Sequence, residues 1–186
     1  MLLIITYKET GVSSNPCTDI FPGDKPFSEV ETANIAAFVQ TLNPVPVLSQ
    51  CFHSYSQLQL WPYGYDYGAY PDNYEEIQQL AIDSCDAIYS VHGTIFDPIN
   101  SADLCKPNSC TCTLYVKTLK NVPTLDPASG AADDWYKGVL GSRFTFTTEL
   151  RDTGNYGFIL PASQIKPSGE EMWAGFEVEI NRLLSL

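Results

Sequence analysis

The chain has 186 residues, of which 44% are hydrophobic and 12% aromatic, and it carries a formal net charge of −12 at pH 7. This length and apolar content are typical of one folded domain and exclude a disordered chain. Its 10 basic residues against 22 acidic ones argue against a nucleic-acid partner, because binding phosphates requires a basic face.

The N-terminal stretch MLLIITYKET has an apolar run of four residues, Leu2 to Ile5, with no basic residue before it. That run is shorter than the core of a signal peptide and far shorter than a membrane span. No other stretch of the sequence approaches a membrane span. We therefore expect no membrane anchor, and no signal peptide in this chain.

A first helix is predicted from Ser28 to Leu42, with Ser28 as its N-cap and two glutamates in its first turn. Its apolar residues recur at helical spacing and are expected to face the core: they are Ile35, Phe38, Val39 and Leu42. VLSQCFHSY then predicts a buried strand that ends near His53, and QLQLW predicts a short second strand.

A second helix is predicted from Asp72, its expected cap, to Tyr89. Its apolar stripe is Ile77, Leu80, Ala81, Cys85 and Ile88. The turn-rich region from about 96 to 113 predicts a long surface loop, and the whole divergent segment or insertion runs to about 122. It contains CKPNSCTC, which holds three of the six cysteines and indicates a disulfide, free thiols or, with weaker support, a metal cluster.

The remaining elements complete an α/β pattern. LYVKTL is a candidate strand, PASGAADDWY leads into a short helix, RFTFTTEL predicts a strand, and a C-terminal amphipathic helix opens at Ser168. Helices that alternate with strands indicate an α/β fold with a largely parallel or mixed sheet.

Three positions could carry chemistry. His53 ends a buried strand, where open α/β sheets bind ligands, although a hydrogen-bonded histidine at the rim fits equally well. Glu149 ends another strand and is either a general base acting on metal-bound water or the partner of Arg143 or Arg151. Asp133 lies in a small-residue loop, where a carboxylate would select a cationic group. The alternative is a structural role, in which Asp134 caps the next helix.

Taken together, these segments resemble the zinc metallocarboxypeptidases of the pancreatic A/B type. The stretches FHSYSQLQLWPYGY, PASGAADDW and ELRDTGNYGFILPASQI match three family signatures in the same order, and NPCTDIFPGDKPFSEVETANIAAFV matches the preceding segment. The resemblance runs from about residue 13 to 186 as a single, partial domain. It implies the mixed-sheet α/β/α fold of that family and the C-terminal half of its domain.

The resemblance also implies roles for individual residues. His53 corresponds to one of three zinc ligands, and Glu149 to the general base and acid. Ser54 and Tyr55 correspond to residues that line the substrate subsites. Asp133 falls at the position that sets side-chain preference, and an acid there is similar to the B-type enzymes, which release C-terminal Lys or Arg. The partners implied are therefore basic peptide or protein C-termini.

Four departures from the family pattern stand beside these matches. His53 and His92 are the two histidines of the chain and are followed by SYS and GTI, so neither forms the His-x-x-Glu motif that supplies the other zinc ligands. Asp126 stands where the family has a mobile tyrosine. Cys17 resembles a family cysteine whose disulfide partner lies upstream. The residues for the carboxylate clamp are absent as well.

The sequence thus predicts a zinc carboxypeptidase that is incomplete as given and inactive by itself, or else a carboxypeptidase-like binding protein without catalysis. By resemblance the protein is extracellular. Lacking the strands and helices of an N-terminal half, the chain is expected to pair with such a half, or to be poorly soluble or oligomeric, because strand edges and apolar helix faces remain uncovered.

Overall fold

The structure is a computed structural model that describes residues 10–105 and 127–186. Four strands form one sheet: β1 (Leu48–Ser54), β2 (Leu58–Trp61), β3 (Asp97–Asn100) and β4 (Phe144–Leu150). Their spatial order is β1–β4–β2–β3. β1 pairs with β4 and β2 with β3 in parallel, whereas β2 and β4 are antiparallel. The predicted mixed sheet is confirmed.

Four α-helices accompany this sheet: α1 (Val30–Val39), α2 (Tyr74–His92), α3 (Ala132–Gly138) and α4 (Ile165–Leu184). Two short 3₁₀ helices, Asp103–Cys105 and Ala162–Gln164, complete the described elements. None of the described helices is long and apolar enough to cross a membrane.

The helices cover both faces of the sheet because side chains alternate along a strand. Phe144 and Phe146 point to one face and pack with Ile77 and Leu80 of α2. Thr145 and Thr147 point to the opposite face, where α3 packs against β1 and β4. The result is the α/β/α layering expected from the sequence, with the larger apolar cluster on the α2 side.

Helix α2 buries the whole predicted stripe, from Ile77 to Ile88. It ends at Gly93, whose φ of 75° is the left-handed conformation that glycine adopts without steric cost. The prediction that Asp72 caps this helix is wrong. Asn73 is the N-cap residue and makes no side-chain capping bond, because the Tyr74 N–H donates to the Pro71 carbonyl in a turn that feeds the helix.

Helix α1 shows a different orientation from the prediction. It buries Thr32, Ala36 and Val39, and Ala36 lies in one cluster with Trp135. Three residues of the predicted stripe are exposed instead: Ile35, Phe38 and Leu42. The helix therefore packs through its smaller side chains, and no described residue covers its most apolar face.

Predictions for two further segments also need correction. Helix α4 begins at Ile165, not at Ser168, because the 3₁₀ turn before it runs directly into the helix and Pro167 is tolerated in a first turn. The region predicted as a loop contains β3, a four-residue edge strand that pairs only with β2 among the described strands. Pro98, which lacks an N–H, is compatible with such an edge.

Three cysteines of the described part of the chain are unpaired. Cys17, Cys51 and Cys85 have free thiols, so the expected disulfide finds no support among these three. The candidate strand LYVKTL, the cluster around Cys110 and Cys112, and Asp126 lie outside the described residues.

Helices α2 and α4 approach each other closely at Gly175. A Cβ atom there would lie 2.7 Å from Ser84 Oγ and 3.2 Å from the Ile88 side chain. Gly175→Ala is therefore expected to lower the free energy of unfolding by about 1–2 kcal/mol, since overpacking outweighs the better helix propensity of alanine. Urea unfolding followed by circular dichroism measures the change.

Gly169 of the same helix provides the matched control, because an added Cβ meets no atom within 4 Å. Gly169→Ala is expected to stabilise the chain by up to about 1 kcal/mol through helix propensity alone. If Gly175→Ala were as stable as Gly169→Ala, the close contact between α2 and α4 would not exist in solution.

Exposed apolar residues lie in β1 and in the segment just before it. In the order of the described strands, β1 has a neighbour on one side only, which is β4. Val45, Val47 and Phe52, here called the β1-edge group, are 39%, 41% and 49% exposed. An edge of this kind, with open backbone hydrogen-bonding groups, is suited to pair with another strand.

Candidate active site

His53 and Glu149 form the centre of the candidate site. They occupy the same register position on the adjacent parallel strands β1 and β4, so their side chains leave the same face of the sheet. His53 Nδ1 lies 3.0 Å from Glu149 Oε1 and 3.1 Å from Oε2. The side chain of His53 is 67% exposed and that of Glu149 is 17% exposed. A shielded carboxylate thus contacts an imidazole that is open to solvent.

The surroundings of Glu149 favour proton binding. Burial raises the pKa of its carboxyl, and the neighbouring His53 opposes this rise in part. Neither arginine considered as a structural partner contacts it, since Arg143 pairs with Glu76 and Arg151 with Glu171. A partly shielded carboxylate with a raised pKa is the kind of group that acts as a general base.

Arg151 fixes the chain just after Glu149. Its guanidinium donates to Glu171 Oε2 at 2.7 Å and to Thr94 Oγ1 at 2.8 Å, and the Glu171 side chain is fully buried. Both strands leave the sheet through cis peptide bonds, Ser54–Tyr55 after β1 and Arg151–Asp152 after β4. The end of β4 is therefore anchored to helix α4 by this ion pair.

Ser54 and Tyr55 continue from β1 beside the pair. Both are half-buried, and the Tyr55 ring packs edge-on against Phe158, with 5.0 Å between the ring centroids. The loop that carries Phe158 is closed by Asp152, whose carboxylate accepts backbone N–H bonds from three residues. Tyr55 and the 76% exposed Phe158 form an aromatic wall next to the site.

Asp133 lies on the same side of the sheet as the His53–Glu149 pair. It is 1% exposed, and its Oδ2 accepts a bond of 3.2 Å from Ser101 Oγ. Thr147 also interacts with it and, like Ser101, opposes the strong rise in the pKa of Asp133 that burial causes. Its Oδ1 is buried and has no hydrogen-bond partner among the described residues.

Asp134 has a structural role, but not the predicted one. The N-cap of α3 is Ala131, without a side-chain capping bond, so the expectation that one of the two aspartates caps this helix is wrong. Asp134 points back into the fold and accepts the Gly64 N–H at 2.9 Å. Burial, with the adjacent Asp133, raises its pKa to about 8. Its carboxylate thereby ties α3 to the loop after β2.

The register of the strands relates the two parts of the site. Cys51 and Thr147 are paired, and His53 and Glu149 are the pair two positions further along. Since a strand rises about 3.3 Å per residue, the two rows are ~7 Å apart on one face. Asp133 interacts with Thr147 of the first row. It therefore lies closer to the Cys51–Thr147 row than to the His53–Glu149 row.

Cys51 and Thr147 were not recognised as site residues in the sequence. Burial and the neighbouring Asp133 raise the pKa of the Cys51 thiol to about 11, so this thiol is neutral. Strand alternation was the available signal: Cys51 stands two residues before His53 and Thr147 two before Glu149. Without the register between the strands, nothing in the sequence related either residue to Asp133.

The described residues do not fit a catalytic zinc ion by themselves. Such a site needs three protein ligands and an open position, and no group of three or more His, Cys, Asp or Glu side chains suited to a metal occurs among residues 10–105 and 127–186. His92 is remote from His53 in the fold, because it ends α2 and pairs with Glu170 of α4 at 2.9 Å. One ligand candidate, His53, remains.

Solved structures first define the class of protein. Bovine thrombin-activatable fibrinolysis inhibitor, in a complex with tick carboxypeptidase inhibitor, superposes with a TM-score of 0.78 at 30% identity, over 95% of this chain and 52% of that one. Carboxypeptidase A from Helicoverpa armigera gives a TM-score of 0.78 over 97% of this chain and 40% of that one. The fold is that of the carboxypeptidases.

Sequence comparison then assigns the family. The zinc carboxypeptidase family profile matches residues 5–175. Carboxypeptidase B of Astacus astacus is 39% identical over 175 residues, or 94% of this chain and 51% of that protein. Carboxypeptidase A1 of Mus musculus is 42% identical over 163 residues, or 88% of this chain and 33% of that protein. The chain belongs to the zinc carboxypeptidase family, and it spans about half of the first relative's length and a third of the second's.

Proposed function

We propose that this chain forms the part of a zinc-dependent carboxypeptidase that carries the general base, one metal ligand and the side-chain pocket. The reaction is the release of C-terminal residues, mainly Lys and Arg, from peptides. The observation that carries this proposal is the His53–Glu149 pair. The pair lies on the same side of the sheet as Asp133, a buried aspartate whose Oδ1 has no hydrogen-bond partner among the described residues.

Each residue contributes one element of the chemistry. Glu149 takes up and returns the proton of the reaction, and its buried position, which raises the pKa of its carboxyl, suits it to this exchange. Ser54 and Tyr55 contact the peptide beside it. Asp133 pairs with the cationic side chain of the residue to be released, because its free Oδ1 lacks any other partner in the described part of the chain.

The zinc ion of the family would take His53 as one ligand, and it supplies Lewis-acid activation of the peptide bond when bound. Its remaining ligands must come from residues outside the described ranges. We infer that a complementing N-terminal half of the domain provides them. The exposed β1-edge group and the exposed face of α1 support this inference, since both need a covering partner or leave the chain oligomeric.

The relatives also suggest where the protein acts. Carboxypeptidase A and B enzymes and the bovine fibrinolysis inhibitor are its structural and sequence relatives. By this likeness we propose an extracellular protein that acts on the C-termini of peptides or proteins.

A binding role without hydrolysis is the second candidate function. One histidine in the described site favours it, because a single imidazole cannot hold a catalytic metal ion. In that case the Asp133 pocket would still bind basic C-termini, and Glu149 would have no reaction to catalyse.

Coexpression tests both candidates. The 186-residue chain is produced alone and together with the part of Astacus astacus carboxypeptidase B that it does not match. Peptides that end in Arg or Phe are the substrates. We expect arginine release from the coexpressed pair in the presence of zinc, loss of release with a chelator, and none from the chain alone.

The outcomes separate the candidates. A stable pair that binds the Arg-ending peptide without releasing arginine would support the binding role. A stable pair that neither binds nor cleaves it would overturn both. His53→Ala in the pair serves as the matched control for the metal ligand, and it should abolish release while leaving peptide binding at Asp133 measurable.

A further inference from the structure

A cluster of polar side chains lies on the sheet face opposite the His53–Glu149 pair. It consists of residues from five elements and is here called the Glu179 cluster: Gln50 of β1, Gln59 of β2, Ser84 of α2, Thr148 of β4 and Glu179 of α4. Glu179 is 2% exposed. An ionisable group inside this apolar layer requires an explanation, because buried charges are costly unless they are paired.

The hydrogen bonds of the cluster converge on one oxygen of Glu179. The Thr148 hydroxyl accepts from the Gln50 amide and donates to Gln59 Oε1 at 2.5 Å. The Gln59 amide then donates to Glu179 Oε1 at 3.1 Å, and Ser84 Oγ donates to the same oxygen at 3.2 Å. Glu179 Oε2 is buried and has no partner among the described residues.

Among residues 10–105 and 127–186, no cation pairs with this carboxyl. The elements packed around it present Gln50, Gln59, Ser84 and Thr148, all of them neutral. The remaining titratable group facing Glu179 in the described chain is the Cys85 thiol of α2, whose pKa burial raises to about 12, so that it too is neutral. Burial raises the pKa of Glu179 to about 7, against the effect of the bonds from Ser84 and Gln59.

We propose that Glu179 is a proton-binding site inside the fold and that release of its proton loosens helix α4 from the sheet. The converging bonds occupy Oε1 and leave Oε2 to carry the proton. A cavity of about 10 Å³, lined by Glu179 and Gln50 among others, is close to the size that holds one water molecule. A water there would accept a hydrogen bond from the carboxyl O–H and donate one to the Gln50 side-chain carbonyl oxygen, which also has no partner among the described residues.

The same helix connects this site to the end of β4. Eight residues before Glu179, the buried Glu171 of α4 binds Arg151, and Arg151 stands two residues after Glu149. A loosening of α4 is therefore transmitted to the anchor that fixes the chain beyond Glu149. Proton release at Glu179 would thus weaken the geometry around His53 and Glu149 without any change at those residues.

The pH dependence of unfolding tests the proposal on the full chain or on its coexpressed pair. Below pH 4.5, the ordinary glutamate value, the folded and unfolded states both hold the proton. Between 4.5 and about 7 the unfolded state releases it first, so stability falls as pH rises and then levels off. Relative to Glu179→Gln, the unfolding constant of the parent chain is expected to grow ~100-fold between pH 4.5 and 8.

Glutamine suits the comparison because its carbonyl keeps the bonds from Gln59 and Ser84, while its amide replaces the protonated oxygen. Other groups of raised pKa, including Asp133, Asp134 and Glu149, titrate equally in both chains, so the difference between them isolates Glu179. Glu177→Gln, an exposed change on the same helix, is the matched control and should retain the pH dependence of the parent chain.

Hydrogen exchange of the α4 amides provides a second measurement, since it detects local loosening without global unfolding. We expect faster exchange at pH 8 than at pH 6 in the parent chain, after correction for intrinsic rates, and no such change in Glu179→Gln. Equal pH dependence of unfolding in the two chains would overturn the proposal. If Glu179→Gln fails to fold, Glu179→Leu replaces it. The parent chain alone also provides a test, because α4 exchange that is equally fast at both pH values would overturn the proposal.

Discussion

Glu149→Gln is expected to abolish peptide release by the coexpressed pair, with kcat lowered by about 10²–10⁴-fold. Glutamine has nearly the same shape as glutamate but cannot take up a proton at neutral pH. Since Glu149 pairs with His53 and with no described arginine, the change removes no buried ion pair with an arginine. The kinetic constants for a peptide ending in Arg, measured beside circular dichroism spectra, provide the test.

The control for this prediction is Glu177→Gln, because that glutamate is exposed on α4 and bonds only Trp173 among the described residues. It should leave kcat and KM unchanged. A Glu149→Gln pair that keeps more than about one tenth of the parent activity would show that another group acts as the base, since general-base catalysis contributes at least that much.

Asp133→Asn is expected to reverse the substrate preference. The value of kcat/KM for a peptide ending in Arg should fall by about 10²–10³-fold, because a cationic side chain would enter a buried pocket without its counter-charge. Asparagine keeps the acceptor for Ser101 and places an N–H donor where Oδ1 now lacks a partner. Release of a C-terminal apolar residue should be unchanged or faster.

Competition between peptides that end in Arg, Leu and Phe measures this preference in one reaction. Asp83→Asn on the exposed face of α2 is the matched control and should preserve it. Burial raises the pKa of Asp133 and Asp134. The preference of the parent protein for Arg should therefore strengthen as pH rises and these two aspartates lose their protons. A preference independent of both pH and Asp133 would place the specificity pocket elsewhere.

The sequence was most informative where local pattern and tertiary packing agree. The stripe of α2 is buried as predicted from its spacing, and β4 ends where predicted and begins one residue later, at Phe144. Helix α1 shows the limit of this approach. Helical spacing identified Ile35 and Phe38 as an apolar face, but spacing cannot indicate what covers that face, and no described element does.

The candidate site was predictable to a similar degree. His53 and Glu149 each end a strand in the sequence, but 96 residues separate them, and only the register of β1 with β4 joins them. Asp134 is a residue type that often caps helices, yet its long-range hydrogen bond with the loop after β2 determines its orientation. Position along a strand could be inferred, whereas pairing between strands and the direction of loop side chains could not.

The open edge of β1 has a consequence for the proposed function. A strand that paired with β1 would lie about 4.8 Å away, directly beside the strand that carries His53. A partner that supplied this strand would bring its own side chains next to the proposed metal ligand. Under the proposed function, assembly with that partner and activation would be one event.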